Sequence, residues 1–360
     1  MSLLARSALS VAVALLVATP ARAETKTPAP TPFRACPGAL DHSSTSIHGD
    51  DGRQTLTVKL SGTRCAIDFR LEGKVQFNDD FTDIASLSAD GSLRLDVTDD
   101  GERYRLEIEP GREGLVRTWR VNGREQPYDA AAREWFAAFL IELDRRTAVG
   151  VDQRLPVLLR KGGVTAVLAE TAQMPSEYSR GVYYSKLAAA TRLSNADLAR
   201  VLDQAASMKT SDYYASELIK DLGARAGADA GVRAAVFRTI QSMTSDYYRA
   251  EAVQQAVGSG RPSGQELEFL IDVVRKMDSD YYKTEVLKKI LALDALTESD
   301  LVAIVKAVAP TGSEYYRSEM LHAVLAHRAV TDAVRQAVLD ASGSMSSYYR
   351  DEMVKATGRR

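Results

Sequence analysis

The chain has 360 residues, 46 basic against 48 acidic side chains, a formal net charge of −2 and two cysteines. That length predicts more than one domain. The near-balanced charge, with no basic tract, excludes a nucleic-acid binder that works by neutralising phosphates.

Residues 1–23 read as a signal peptide. Arg6 gives a positive start, Ala8 to Ala18 form a short apolar core, and Thr19-Pro20-Ala21-Arg22-Ala23 ends in an A-x-A cleavage pattern. The apolar run is too short to span a bilayer, and no later run approaches ~18 uninterrupted apolar residues. The expected location is therefore periplasmic or secreted, with no transmembrane segment after cleavage. Residues 24–36, rich in Pro and Thr, read as a flexible linker. Cys36 and Cys65 make an even count in an oxidising compartment, which favours a disulfide between them over two free thiols.

Residues 37–128 read as a small antiparallel β domain. Apolar residues alternate with polar ones in Leu56, Val58 and Leu60, in Leu71, Gly73, Val75 and Phe77, in Leu93, Leu95 and Val97, in Tyr104, Leu106 and Ile108, and in Leu115, Trp119 and Val121. Asp90-Gly91, Asp100-Gly101, Pro110-Gly111 and Asn122-Gly123 punctuate these runs as turns. The pattern implies a meander with one buried face. Residues 129–172 read as connecting helices. Asp129 is the expected N-cap of the first, whose Trp135, Phe136, Phe139, Leu140 and Leu143 recur at helical spacing and can cover the sheet. Leu155 to Leu159 and Val164 to Ala172 read as further helices.

Residues 173–358 carry about six repeats. Ser211-Asp212-Tyr213-Tyr214 recurs at Ser245, Ser279, Ser313 and Ser346, with a degenerate first copy at Ser176-Glu177-Tyr178-Ser179. Successive serines are 35, 34, 34, 34 and 33 residues apart. A glutamate follows at fixed offset, at Glu217, Glu251, Glu285, Glu319 and Glu352, and a base follows most pairs, at Arg249, Lys283, Arg317 and Arg350. Each repeat encodes two helices. The Ser is a good N-cap and the following acid suits the positive helix end. One helix pair cannot bury its apolar face alone, so stacked neighbours imply a right-handed α-solenoid and an α+β chain as a whole.

The period matches tetratricopeptide repeats, but their Trp-Leu-Gly-Tyr-Ala-Phe-Pro framework is missing. The chain more closely resembles a HEAT-like or divergent bacterial α-solenoid. Its S-D-Y-Y-x-x-E helices after a β domain also resemble exported regions of beta-lactam-sensor-type regulators. The resemblance implies no protease activity, because the H-E-x-x-H motif is absent.

Adjacent tyrosines on a helix point about 100° apart. One of each pair is expected between repeats and the other towards solvent. The pairs are Tyr213 and Tyr214, Tyr247 and Tyr248, Tyr281 and Tyr282, Tyr315 and Tyr316, and Tyr348 and Tyr349. A tyrosine hydroxyl can reach the Glu four residues on. The bases are disfavoured in a first helical turn, so an acid–base ladder across repeats is the expected reason for their recurrence. The columns read either as the glue of the stack or as an exposed Tyr and Arg binding strip.

Catalytic signals are missing. His322 and His327 are five apart, which is not the spacing of a helical zinc pair. His42 and His48, near Asp41, Asp50 and Asp51, read as a solvated loop in preference to a weak cation site. No cofactor and no enzymatic activity are expected. The expected function is protein binding or scaffolding with another envelope or secreted protein, in an oligomeric state the sequence does not specify. The alternative is a polysaccharide or small-ligand module using the tyrosine column.

Overall fold

The structure is a computed structural model that describes residues 42–50, 53–208, 211–223, 229–257, 264–293 and 296–358. The expected signal peptide, the linker, Cys36, Asp41 and Asp51 lie outside the described residues.

Among the described residues nine strands come first: β1 (His42–Asp50), β2 (Arg53–Gly62), β3 (Cys65–Glu72), β4 (Val75–Phe77), β5 (Ile84–Leu87), β6 (Ser92–Asp99), β7 (Glu102–Gly111), β8 (Gly114–Val121) and β9 (Arg124–Gln126). Seven form an antiparallel sheet in the order β1-β2-β3-β6-β7-β8-β9, and β4 pairs with β5 in a separate hairpin. The expected meander is present, with that hairpin inserted. Register sets one row of inward side chains across the sheet: Val58 opposite Phe69, then Leu95, Leu106 and Trp119. All five are buried. Asp100-Gly101 and Asn122-Gly123 have successive positive φ values, 53 and 88°, 52 and 79°. That geometry closes two-residue hairpins, and it is why Asp-Gly and Asn-Gly stand there.

Two expectations are corrected. His42, His48 and Asp50 do not form a loop: they lie on β1, opposite Ser61, Thr55 and Arg53. This strand carries polar residues in most positions, so no apolar alternation marked it. The run Leu71 to Phe77 is not one strand. Gly73, at φ +80°, turns the chain between β3 and β4, and a Cβ there would lie 2.4 Å from the Ser88 hydroxyl. Cys65 opens β3 and is buried.

Thirteen helices follow among the described residues: α1 (Ala130–Thr147), α2 (Val151–Thr171), α3 (Glu177–Ala190), α4 (Asn195–Ala205), α5 (Asp212–Gly223), α6 (Ala230–Ser242), α7 (Asp246–Val257), α8 (Gly264–Lys276), α9 (Asp280–Leu291), α10 (Glu298–Val308), α11 (Glu314–Leu325), α12 (Asp332–Ser342) and α13 (Ser347–Thr357). Asp129 caps α1 by accepting from the Ala132 amide at 3.1 Å. Trp135, Phe136, Phe139, Leu140 and Leu143 of α1 are buried on the sheet, with Trp135 5.0 Å from Trp119 and Phe139 5.9 Å from Phe69 between ring centres. Helix α1 is thus part of the β domain's core. Helix α2 breaks at Gly162 and Gly163, the latter at φ +61°, which divides the two apolar stretches read from the sequence.

From α2 onward the helices pack in two layers. Odd helices contact the next odd helix, from α1 through α3 to α13, and even helices contact the next even one, from α2 to α12. One apolar core runs from Ala148 to Met353. Each buried Leu or Ile in it contributes about 1.5–3 kcal/mol relative to exposure. No helix among the described residues is long and apolar enough to cross a membrane.

Candidate functional site

The copies of the repeat begin with a related arrangement at the start of an odd helix, although Ser346 in the last one makes no side-chain cap bond. Ser176 caps α3 through the Ser179 amide at 3.2 Å, and Ser279 and Ser313 face the amides of Tyr282 and Tyr316 at 3.5 Å. The acid after the serine serves the next repeat. Asp212 accepts from the Ser245 amide at 2.6 Å and the Thr244 amide at 2.8 Å. Asp246 accepts from the amides of Asp278 and Ser279, both at 2.7 Å. Asp280 accepts from the Ser313 amide at 3.0 Å, and Glu314 from the Ser346 amide at 2.8 Å and hydroxyl at 2.7 Å. Ser346 holds the Glu314 carboxyl below the usual glutamate range. From Asp212 to Glu314 the acid column therefore binds a repeat to the loop of the following one. The last copy, at α13, carries Ser347 in that position.

The basic column is corrected in role. Arg249 and Arg317 are buried, and Lys283 is half-buried, so they are not part of an exposed strip; only Arg350 is exposed. Arg180 donates to the Met174 carbonyl at 2.8 Å, Arg317 to the Thr311 carbonyl at 2.9 Å, and Arg249 to the Met243 carbonyl. These carbonyls follow the C-terminal ends of even helices, where cations are favoured. Arg249 also reaches Asp246 at 2.9 Å and Lys283 reaches Asp280 at 3.4 Å. The expected acid–base pairing exists within two copies, three residues apart, while the links between copies run mainly from carboxylate to amide, with Arg317 adding a bond to the Ser344 hydroxyl at 2.9 Å. The residues whose carbonyls the arginines hold belong to a buried column that sequence reasoning missed: Met174, Met208, Met243, Met277, Thr311 and Met345. Its signal was available, since methionine recurs at the repeat period just before the serine.

What this machinery leaves in solvent is the first tyrosine. Tyr178, Tyr213, Tyr247, Tyr281, Tyr315 and Tyr348 are 48–71% exposed. The second tyrosines, Tyr214, Tyr248, Tyr282, Tyr316 and Tyr349, are half-buried against the core. The rings interlock edge to face. Tyr248 lies 6.0 Å from Tyr213 and 5.0 Å from Tyr247, and Tyr282 lies 5.9 Å from Tyr247 and 5.1 Å from Tyr281. Tyr316 continues the series at 6.4 Å from Tyr281 and 5.1 Å from Tyr315. Tyr214 joins Tyr178 at 5.9 Å and abuts Gly181, where a Cβ would come within 2.8 Å of its ring. Burial and the neighbouring Tyr178 and Tyr213 push the Tyr214 hydroxyl above its usual range.

The Glu column runs beside the exposed rings, one helical turn along. The expected tyrosine-to-glutamate bond gives way to other partners. Glu217 pairs with Lys220 at 3.8 Å, Lys288 lies between Glu285 at 3.8 Å and Glu319 at 3.5 Å, and Glu352 faces His322 at 3.5 Å. Glu251 is exposed and has no ion-pair partner among the described residues, because Gln254 stands where other copies carry a base. The sheet's open face is charged too: Asp68 lies opposite Asp96, with Lys59 3.5 Å from Asp68 and Arg94 2.9 Å from Asp96. Among the described residues, no group of three or more His, Cys, Asp or Glu side chains is placed to hold a metal ion.

No protein-family model, curated protein or solved structure matches the chain. The likeness to beta-lactam-sensor-type regulators therefore rests on the repeated motif and the domain order alone.

Proposed function

We propose that the chain is an exported, non-enzymatic protein that binds or scaffolds another envelope or secreted protein through the solenoid. The observation that carries this reading is the row of exposed tyrosines. The acid, base and second-tyrosine columns are consumed in holding repeats together, whereas the first tyrosine of every copy stays about half exposed or more, and from Tyr213 onward a glutamate stands one helical turn away. Tyrosine supplies a large, rigid, amphipathic contact and is enriched at binding hot spots. The signal-peptide pattern supports a periplasmic or secreted location, where Cys36 and Cys65 would pair.

The test is affinity capture from a cell-envelope extract, with the full mature chain from Glu24 and its Tyr247→Ala, Tyr281→Ala double variant as parallel baits. A protein captured by the first bait and lost from the second, while the variant still unfolds cooperatively and well above the temperature of the capture, supports the reading. A capture profile identical for both baits overturns it. The same rings also suit stacking on sugars, so a glycan array probed with both baits reads out the alternative, a polysaccharide-binding module.

A further inference from the structure

The spacing of the aromatic rings narrows the chemistry of the partner. Each successive pair of exposed tyrosines walls a notch whose floor is a half-buried tyrosine: Tyr213 and Tyr247 over Tyr248, Tyr247 and Tyr281 over Tyr282, Tyr281 and Tyr315 over Tyr316. The notches repeat at the spacing of packed helices, about 8–10 Å. An extended ligand that fills them must present an apolar group once in that distance.

A polyproline II helix does so. It has three residues per turn and a rise of ~3.1 Å, so one face returns about every 9 Å. Its conformation is largely set before binding, and shallow grooves lined by aromatic side chains are how folded domains recognise it. A β-strand places same-face side chains about 7 Å apart and drifts out of register within two notches. The charge beside the notches selects the remaining position. The Glu column lies one helical turn from the rings, and Glu251, at the centre of the row, is exposed without an ion-pair partner among the described residues. A carboxylate in that place favours a cation.

We infer that the tyrosine row is a docking surface for an extended, proline-rich segment of a partner protein that carries a lysine or arginine where it passes Glu251. This rests on the reading of the row as the binding surface, and it names the occupant.

The experiment titrates the full mature chain with three synthetic peptides by calorimetry at low salt: four repeats of Pro-Pro-Lys, of Ala-Ala-Lys and of Pro-Pro-Glu. The first should bind about tenfold or more tighter than either control, a difference of ~1.4 kcal/mol. Tyr247→Ala and Tyr281→Ala should each weaken it about fivefold or more, a loss that only a minority of interface side chains show on truncation. Glu251→Gln, an exposed change that leaves every ring in place, should reduce the preference for Pro-Pro-Lys over Pro-Pro-Glu. Equal affinity for Ala-Ala-Lys overturns the inference, because charge alone then suffices. So does the absence of Pro-Pro-Lys binding, or binding of a soluble oligosaccharide that is lost in Tyr247→Ala. If an envelope protein is still captured in a tyrosine-dependent way while Pro-Pro-Lys fails, the row remains the binding surface and only its proposed occupant falls.

Discussion

Asp246 shows how much one side chain of the repeat does. Its carboxylate accepts two amides of the next loop at 2.7 Å and the Arg249 guanidinium of its own helix at 2.9 Å. Hydrogen bonds to a charged group contribute about 1.5–3 kcal/mol each, and their loss leaves the donors unpaired. Asp246→Ala should therefore destabilise the chain by about 2–4 kcal/mol in urea unfolding. A loss under about 0.5 kcal/mol, the usual size of a surface change, would show that the loop holds itself. Glu314 plays the same part for Ser346, and its carboxyl is held low by that hydroxyl and amide. The unfolded chain protonates this group at higher pH than the folded chain does. The contribution is thus present above the ordinary glutamate range and lost as pH falls through the lowered folded value. The stability gap between the native chain and Glu314→Gln should narrow when both are unfolded at about pH 3 instead of about pH 7. A constant gap would mean that Ser346 does not favour the charged form.

At the scale of the helix, the adjacent tyrosines divide two jobs. Each touches two rings, but Tyr248 is half-buried against the core whereas Tyr247 is 48% exposed. Edge-to-face ring contacts contribute about 0.5–1.5 kcal/mol each beyond area burial. Tyr248→Ala should cost about 2–3 kcal/mol and Tyr247→Ala about 1 kcal/mol or less, compared by thermal unfolding. Equal losses would make the first tyrosine structural as well. This split was legible in the sequence, because adjacent residues on a helix cannot share a face. The repeat period, the serine caps and the apolar face of α1 were legible for the same kind of reason: each is a local rule with a period. The partners of the basic column were not, since Arg249 reaches back six residues to the Met243 carbonyl across a turn whose shape no side-chain pattern encodes. Strand β1 was hidden because pairing along the β2 backbone, not an apolar face, makes it a strand. The β4–β5 hairpin was hidden because Val75 and Phe77 continue the alternation of β3 straight through the turn at Gly73.

At the scale of the molecule, two separate apolar cores share one joint. The sheet and α1 form the first, and the stacked helices from Ala148 onward form the second. Between them lies a buried chain of charges. Asp144 on α1 accepts from the Gly150 amide at 2.8 Å, from Arg154 on α2 at 3.0 Å, and from the Tyr183 hydroxyl on α3. Arg154 continues to Glu170 at 2.6 Å, and Arg145 of α1 holds the same carboxylate at 2.6 Å. Burial pushes the Asp144 carboxyl upward against the opposing pull of Tyr183 and Arg154. For Glu170, burial raises the carboxyl, but Arg145 and Arg154 outweigh it and the net direction is downward. Asp144→Ala leaves the Gly150 amide and the Tyr183 hydroxyl without their acceptor and Arg154 with Glu170 alone, a loss of about 3–5 kcal/mol, so it should be far more damaging than Tyr183→Phe, which removes a single donor at about 1 kcal/mol. The location of the damage is more telling than its size. Both tryptophans of the chain, Trp119 and Trp135, sit in the first core, so tryptophan fluorescence reports the sheet while far-ultraviolet circular dichroism is dominated by the helices. In the native chain the two signals should unfold together, since coincident transitions are the mark of one cooperative unit. In Asp144→Ala they should separate, with the sheet and the solenoid melting as two bodies. Coincident curves in the variant would assign the coupling to the apolar contact of α1 with α3, and the charge network would then be a filler of the joint instead of its fastening.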